Sequence, residues 1–407
     1  MQNAGSGSIV FEPRPLQTMT RKIVEETEIA IPAQDEEQAR RVTAAPVGYE
    51  PIVQNGHVTE APGTVLRAMG GGLYEVNLEG VEAKDLPPLV DTMGAPVPLD
   101  EDAQPGSVLL CQIGGRLKNS KTSPKRMSQH IAVGDRVRVR PLPNTGENSR
   151  GQRLREGFIE EVLPRSLVLG RSRYNKTAQV TVANLDQVVI VMAMRMPDLS
   201  THRLDRFLVL AEASDLRAVI CLNKVDLLKK KEVKSEVEPL IERYEKIGYR
   251  VLPVAAETDK GIKKLRKELS GHISAFIGSS GVGKSSLVMA LEPDLMLWVG
   301  EVMEIGKGRH TTTEVSLHPL EGGGYIADTP GIKTVTLLEQ QEVFLPNCFP
   351  EFRRASNNCR FNDCTHVHEP GCAIREEVET GEIARERYDS YLKMREDDLL
   401  KLRLSHR

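Results

Sequence analysis

Three short motifs stand in an order that constrains how the middle of this 407-residue chain can be wound. Asn223-Lys224-Val225-Asp226 comes first, Gly278 to Ser285 second, and Asp328-Thr329-Pro330-Gly331 third. The second motif reads Gly278-Ser279-Ser280-Gly281-Val282-Gly283-Lys284-Ser285, followed by Ser286, and has the form of a phosphate loop. Glycines leave the main chain free to wrap phosphates with its N–H groups, and the N-terminus of the following helix adds positive potential. Lys284 can then reach the β- and γ-phosphates, and the Ser285 hydroxyl can ligate Mg²⁺. The flanks agree: His272 to Ile277 is an apolar strand candidate, and Ser286 to Leu291 continues as a helix.

The other two motifs give the loop its partners. Asp328 follows the strand candidate Gly324 to Ala327, where a carboxylate can hold Mg²⁺ through water and the Gly331 N–H can face a γ-phosphate. Asn223 to Asp226 ends another strand candidate, Ala218 to Leu222. The Asp226 carboxylate can accept the guanine N1–H and exocyclic amine, which adenine cannot match, so an adenine nucleotide would leave a costly unpaired acceptor. The Ala256 N–H can meet guanine O6, whereas Ala255 stands where a serine hydroxyl would help hold the base. An ordinary guanine-nucleotide domain opens with the phosphate loop and closes with Asn-Lys-x-Asp. Here the order is reversed, as circular permutation would make it.

Apolar strand candidates at 187–193, 218–222 and 250–254 alternate with helical stretches at 203–213 and 232–247. That spacing predicts a mostly parallel, doubly wound sheet with ligands at the carboxyl ends of its strands, where all three motifs fall. Permutation of such a domain is physically allowed because domain termini often lie close together.

The net charge of -3 hides an internal asymmetry. Residues 57–115 carry nine acidic and two basic side chains, and residues 116–155 carry two acidic and eleven basic. Short alternating segments at 64–67, 73–78, 108–113, 135–140 and 158–162 predict a small five-stranded barrel of the OB type, with Arg136, Arg138 and Arg140 on one face. The basic surplus suits a nucleic-acid backbone, and the scarcity of aromatics favours phosphate contacts on folded RNA over base stacking. Residues 1–56, with eight acidic and five basic side chains and no apolar core, are expected to be a disordered acidic tail. No apolar run approaches the ~20 residues that cross a bilayer, so no membrane partner is expected.

Beyond the third motif, Cys359, Cys364, His366 and Cys372 fall within fourteen residues. Three thiolates and an imidazole make a closed, structural Zn²⁺ site, since a catalytic zinc keeps one position for water. Cys111 and Cys221 are expected in the core, Cys348 lies outside the cluster, and His368 is expected at the surface. Ile383, Tyr388, Tyr391 and Leu392 suggest a final amphipathic helix packed on this module.

Taken together, the permuted order, Gly278 to Ser286, Gly308-Arg309-His310-Thr311-Thr312-Thr313, Asp328 to Gly331 and the Cys-x4-Cys-x-His-x5-Cys spacing resemble the ribosome small-subunit-dependent GTPase A family, also called RsgA or YjeQ. The resemblance covers residues 57–400. It implies a multidomain chain with an N-terminal all-β OB-fold barrel, a central α/β circularly permuted P-loop GTPase domain and a small C-terminal zinc-binding module with helices. The expected limits are 57–170, 171–335 and 336–407. The acidic tail is a departure from the family. The resemblance further implies cytoplasmic GTP hydrolysis with Mg²⁺ during late maturation of the small ribosomal subunit, contact with its rRNA, and stimulation by the subunit. A monomer is expected. Ile332 stands where many GTPases carry the glutamine that orients the attacking water, and the resemblance gives that role to His310. Thr312 would complete the Mg²⁺ shell, although the sequence does not separate it from Thr311 and Thr313. Asp328 to Gly331 runs almost directly into the zinc module, so hydrolysis could reposition that module and release RNA. The competing readings are a metabolic P-loop kinase, which has no need of Asn223 to Asp226, and an RNA-binding scaffold with a vestigial nucleotide site.

Overall fold

The computed structural model describes residues 50–69, 71–90, 95, 107–115, 131–148, 151–166, 168–173, 176–293, 315–328 and 344–405. His310, Thr311, Thr312, Thr313, Gly331, Ile332 and the basic stretch 116–130 lie outside them. The side chain of Asp328 does too, although its main chain is described.

The barrel forms where alternation predicts it. A short strand β1 (Ile52–Gln54) pairs with β2 (His57–Met69), ahead of the expected start at 57. β3 (Leu73–Leu78), β4 (Val108–Ile113), β5 (Arg136–Glu147) and β6 (Arg153–Val162) follow. Among the described residues the pairing runs β2-β3-β4-β6-β5 and closes through β2–β5, with β4 and β6 parallel and the other pairs antiparallel. This closed, partly parallel five-strand circuit is the OB arrangement. Val65, Val76, Leu109, Val137, Val139 and Ile159 fill its interior at 0% exposure, each contributing about 1.5–3 kcal/mol of hydrophobic stabilisation for a valine, leucine or isoleucine. A hairpin of β7 (Val168–Arg173) and β8 (Lys176–Ala183) pairs Gly170 with Val180, so the expected boundary at 170/171 falls within it.

The central sheet is built from β9 (Gln187–Ala193), β10 (Arg217–Asn223), β11 (Arg250–Pro253), β12 (Ile273–Ile277), β13 (Ser316–Pro319) and β14 (Tyr325–Asp328), in the order β11-β10-β9-β12-β14-β13. All pairings are parallel except β13–β14. Every residue of β9 is buried, as expected of a central strand covered on both faces. Its odd and even side chains enter two separate cores. Val188, Ile190 and Met192 join α1 (Thr201–Ala213) and α2 (Glu238–Ile247), while Val189 and Val191 join α3 (Ile262–Leu269) and α4 (Lys284–Leu291). Ser200 caps α1 by accepting the Arg203 N–H at 3.4 Å. The helix expected over 232–247 is interrupted by a π-helical turn at Val233–Val237, with Pro239 in the first turn of α2.

β13 was not legible as a strand, yet it joins the two sheets: Ser316 pairs with Arg67 of β2 on one side and with Asp328 on the other. The C-terminal module contains α5 (Pro350–Ala355), α6 (Ala373–Glu379) and α7 (Arg385–Ser405). Its core of Phe349, Phe352, Ile374, Ile383, Tyr388 and Tyr391 includes Val209 of α1. Cys348 is buried in that same core, and Cys111 and Cys221 are buried in strands as expected.

Candidate active site and metal centre

Parallel strands bring the motifs to one edge of the sheet. Asn223 ends β10, Gly278 follows β12, and Asp328 ends β14 beside it. Gly278 (φ 149°) and Gly283 (φ 94°) are required by close approach as much as by backbone angle. A Cβ at Gly278 would lie 2.3 Å from the Val191 carbonyl, and one at Gly283 would lie 2.3 Å from the Asn223 amide nitrogen. The contact at Gly283 reflects a direct bond, because Asn223 Nδ2 donates to the Val282 carbonyl at 2.9 Å. Lys224, in the left-handed conformation (φ 63°), donates to the Gly281 carbonyl at 2.8 Å and also to Met196 O. The permuted guanine motif is therefore fastened to the phosphate loop by two side chains. The buried Asn223 Oδ1 has no hydrogen-bond partner among the described residues.

Lys284 folds over the loop and donates to the carbonyls of Gly278 and Ser279 at 2.9 and 3.0 Å. Burial lowers its pKa from the usual lysine value, as desolvation penalises the charged form. Ser285 and Ser280 are exposed at the loop surface, and Ser279 and Ser286 are half-buried. Val225 is buried and donates its N–H to the Val254 carbonyl at 3.2 Å, while Asp226 is exposed. Ala256 starts a short helical turn beside a fully buried Ala255. The small side chain at 255 thus sits in a packed position. Ser285 and Asp328 are hard oxygen donors, the type that Mg²⁺ prefers. The structure thus gathers Asn223, Lys224, the loop from Gly278 to Lys284 and the main-chain end of β14 at one edge of the sheet.

The second cluster is separate. Ligand atoms of Cys359, Cys364, His366 and Cys372 all lie within 4.8 Å of one another. His366 Nδ1 is 3.7 Å from Cys359 Sγ and 3.6 Å from Cys372 Sγ. A tetrahedron with standard Zn–S and Zn–N bonds has an S···N edge of about 3.6 Å, so the donors fit zinc. Burial raises the Cys364 and Cys372 thiols above their ordinary value, which makes three clustered thiolates costly without a cation. His368 is exposed, as expected.

Sequence reading missed what holds this loop. Glu369, a mere spacer by pattern, accepts the N–H groups of Thr365, Val367 and His368 at 3.1, 3.1 and 3.2 Å. Partial burial works against its charge, but these bonds and the Thr365 hydroxyl keep its carboxyl well below the usual range. From α7, Tyr388 and Tyr391 donate to the carbonyls of His366 and Thr365 at 2.7 and 2.8 Å. The expected packing of the last helix on the module is thus realised by two phenols.

On the barrel, two of the three β5 arginines have carboxylate partners. Arg136 and Arg138 are half-buried and Arg140 exposed, on the predicted common face. Arg138 lies 3.6 Å from Glu60 and 3.4 Å from Glu161, and Arg140 bonds Glu160 at 2.9 Å while stacking 5.1 Å over Phe158. Arg138 and Arg140 thus each have a carboxylate partner within the barrel domain while staying accessible to solvent. The remaining basic surplus falls mainly in 116–130, outside the described residues.

A family model described as RsgA GTPase matches residues 162–338. A Thermotoga petrophila protein named small ribosomal subunit biogenesis GTPase RsgA is 41% identical over 297 residues, covering 72% of this chain and 90% of its own. The chain belongs to the RsgA GTPase family. The crystal structure of YjeQ from Thermotoga maritima aligns with a TM-score of 0.56 at 32% identity, over 82% of this chain and 97% of that one. YloQ, a circularly permuted GTPase, aligns with a TM-score of 0.57 at 29% identity, over 84% and 96%. The permuted fold read from motif order is therefore that of solved relatives, and the protein is a GTP hydrolase of a ribosome-biogenesis family. The kinase and vestigial-site readings are set aside.

Proposed function

We propose that this GTPase binds the small ribosomal subunit and its rRNA in the cytoplasm, as a monomer, during late maturation of the subunit. Binding stimulates GTP hydrolysis, and the nucleotide state controls release. The observation that carries this reading is the position of the phosphate loop: its sheet is hydrogen-bonded through β13 to the barrel and packed through α1 on the Cys3His module. Relatives named for small-subunit biogenesis supply the partner. The working units are the β-barrel for RNA, the permuted α/β domain for hydrolysis and the Cys3His module as a zinc-stabilised docking element, preceded by an acidic tail.

Within that frame, Asn223, Lys224, Val225, Asp226 and Ala256 hold guanine, and Gly278 to Ser286 cradle the phosphates. Lys284 binds the β- and γ-phosphate oxygens and lowers the energy of charge developing there. Ser285, Thr312 and, through water, Asp328 hold Mg²⁺, which neutralises charge on the phosphates when bound. The Gly331 N–H senses the γ-phosphate. His310 orients the attacking water, since Ile332 has no hydrogen-bonding group. Cys359, Cys364, His366 and Cys372 hold one structural Zn²⁺.

His310→Ala tests the least conventional of these assignments. GTP affinity is expected to stay at the wild-type value while turnover in the presence of small subunits falls about a hundredfold or more. Subunit-stimulated turnover that survives the substitution unchanged removes His310 from the mechanism.

A further inference from the structure

The hairpin β13–β14 is held at both long edges. On the inner side β14 pairs with β12, the strand that leads into the phosphate loop. On the outer side Ser316 of β13 pairs with Arg67 of the barrel strand β2. The hairpin itself registers Ser316 against Asp328, so the pair next to the barrel is also the pair that ends in the candidate Mg²⁺ aspartate.

A side-chain tie reinforces the strand pairing at the other end of β14. Asn77 Nδ2, on barrel strand β3, donates to the Tyr325 phenol oxygen at 2.9 Å across 248 residues of sequence. Asn77 is itself fixed, because its Oδ1 accepts the Ser107 hydroxyl at 2.5 Å. The phenol also faces Thr64, whose hydroxyl donates to Glu79 at 2.6 Å. Burial raises the Tyr325 pKa above the ordinary tyrosine value, so it remains a neutral phenol near pH 7. Around this tie the two domains share one core: Leu66 and Val133 of the barrel side pack with Leu317 and Ala327 of the hairpin.

We infer that Tyr325 is a positioning residue for GTP hydrolysis, through which the barrel holds the β13–β14 hairpin and thereby the main chain of Asp328 beside the phosphate loop. A domain read from sequence as an RNA-binding appendage is then part of the framework of the hydrolytic site. The inference rests on the proposed role of Asp328.

Tyr325→Phe removes the bonds to Asn77 and Thr64 and keeps the ring. Loss of hydrogen bonding of ordinary worth at this tie predicts a fall in kcat of about fivefold or more. The KM for GTP and the affinity for GDP are expected to stay unchanged. Amide hydrogen exchange at Ile326 and Ala327 is expected to quicken by a similar factor. Asn77→Ala should slow turnover from the barrel side too, and the double variant should lose less than the product of the two single losses, as residues that share a contact require. A role confined to stability would lower the melting temperature and leave kcat at 25 °C untouched, and that result overturns the inference. So would strictly additive losses in the double variant. Asp328→Ala separates the levels: wild-type turnover there removes the proposed site, whereas slowed turnover there with a normal Tyr325→Phe rejects the positioning role alone.

Discussion

Lys284→Ala is expected to slow GTP hydrolysis by at least about a hundredfold, the usual consequence of removing a preorganised donor from a site of developing negative charge. The ammonium is held over the loop by the Gly278 and Ser279 carbonyls, at the loop that would cradle the phosphates. Alanine removes both the charge and the brace between loop carbonyls, so GTP affinity should fall as well, whereas a variant lacking only a water-orienting group should retain it. Lys284→Arg should not rescue: the half-buried site admits a compact ammonium, and the wider planar guanidinium has different donor geometry. Single-turnover hydrolysis together with fluorescent-nucleotide binding separates the two losses. Wild-type turnover by Lys284→Ala would mean that the loop does not serve the reaction.

Arg387→Met is the second large effect, and it acts far from the nucleotide. Arg387 is 1% exposed in α7, with its guanidinium 2.6 Å from Asp205 of α1 and 2.7 Å from Glu351 of α5. It also stacks 4.6 Å over Phe349, and Tyr244 of α2 donates to Asp205 at 2.8 Å. Methionine keeps much of the volume but leaves two carboxylates buried without their cation, at a cost of about 3–5 kcal/mol. Hydrogen exchange is the suitable measurement, since the loss is local to the seam between the Cys3His module and the GTPase domain. Protection in α5 and the first turns of α7 should fall by about a hundredfold or more, with smaller changes in the barrel. Arg387→Met combined with Asp205→Asn should recover part of the loss, because the double variant buries one charge fewer. Unchanged protection in the single variant would show that the apolar contacts around Val209 hold the module unaided.

These two sites differ in how far the sequence announced them. The phosphate loop was legible because its chemistry demands fixed residue types at fixed spacing within one strand, loop and helix. The same holds for Cys359 to Cys372, where three thiol ligands and an imidazole crowd fourteen residues. Barrel strands such as Leu73–Leu78 were legible from alternation, and β9 from a continuous apolar run. Arg387 was not: in an amphipathic pattern it counts among the polar positions, and its burial depends on Asp205, 182 residues away. β13 carries no period either, since Ser316-Leu317-His318-Pro319 is four residues long and ends in proline. Its place follows from an open edge of β14 on one side and of β2 on the other, which only the assembled sheets define. The carboxylate partners of two β5 arginines were not legible either: Arg138 meets Glu60 and Glu161, and Arg140 meets Glu160, from strands that only the closed barrel brings beside β5.

Both tethers of the GTPase domain meet near the ends of the nucleotide motifs. The barrel reaches β14 through β13 and Tyr325. The Cys3His module grips α1, which follows the loop containing Met196, the carbonyl partner of Lys224. Loss of a γ-phosphate that relaxes the hairpin or the guanine loop would therefore have short physical routes to the barrel and to the Cys3His module, as expected of a switch with ordered and relaxed states.

The most direct measurement is the affinity of the intact protein for purified small ribosomal subunits, compared between a non-hydrolysable GTP analogue and GDP at one salt concentration. Coupling of ordinary size predicts that the GDP-bound protein binds about ten- to a hundredfold more weakly. Equal affinities in the two nucleotide states would contradict control of release by hydrolysis.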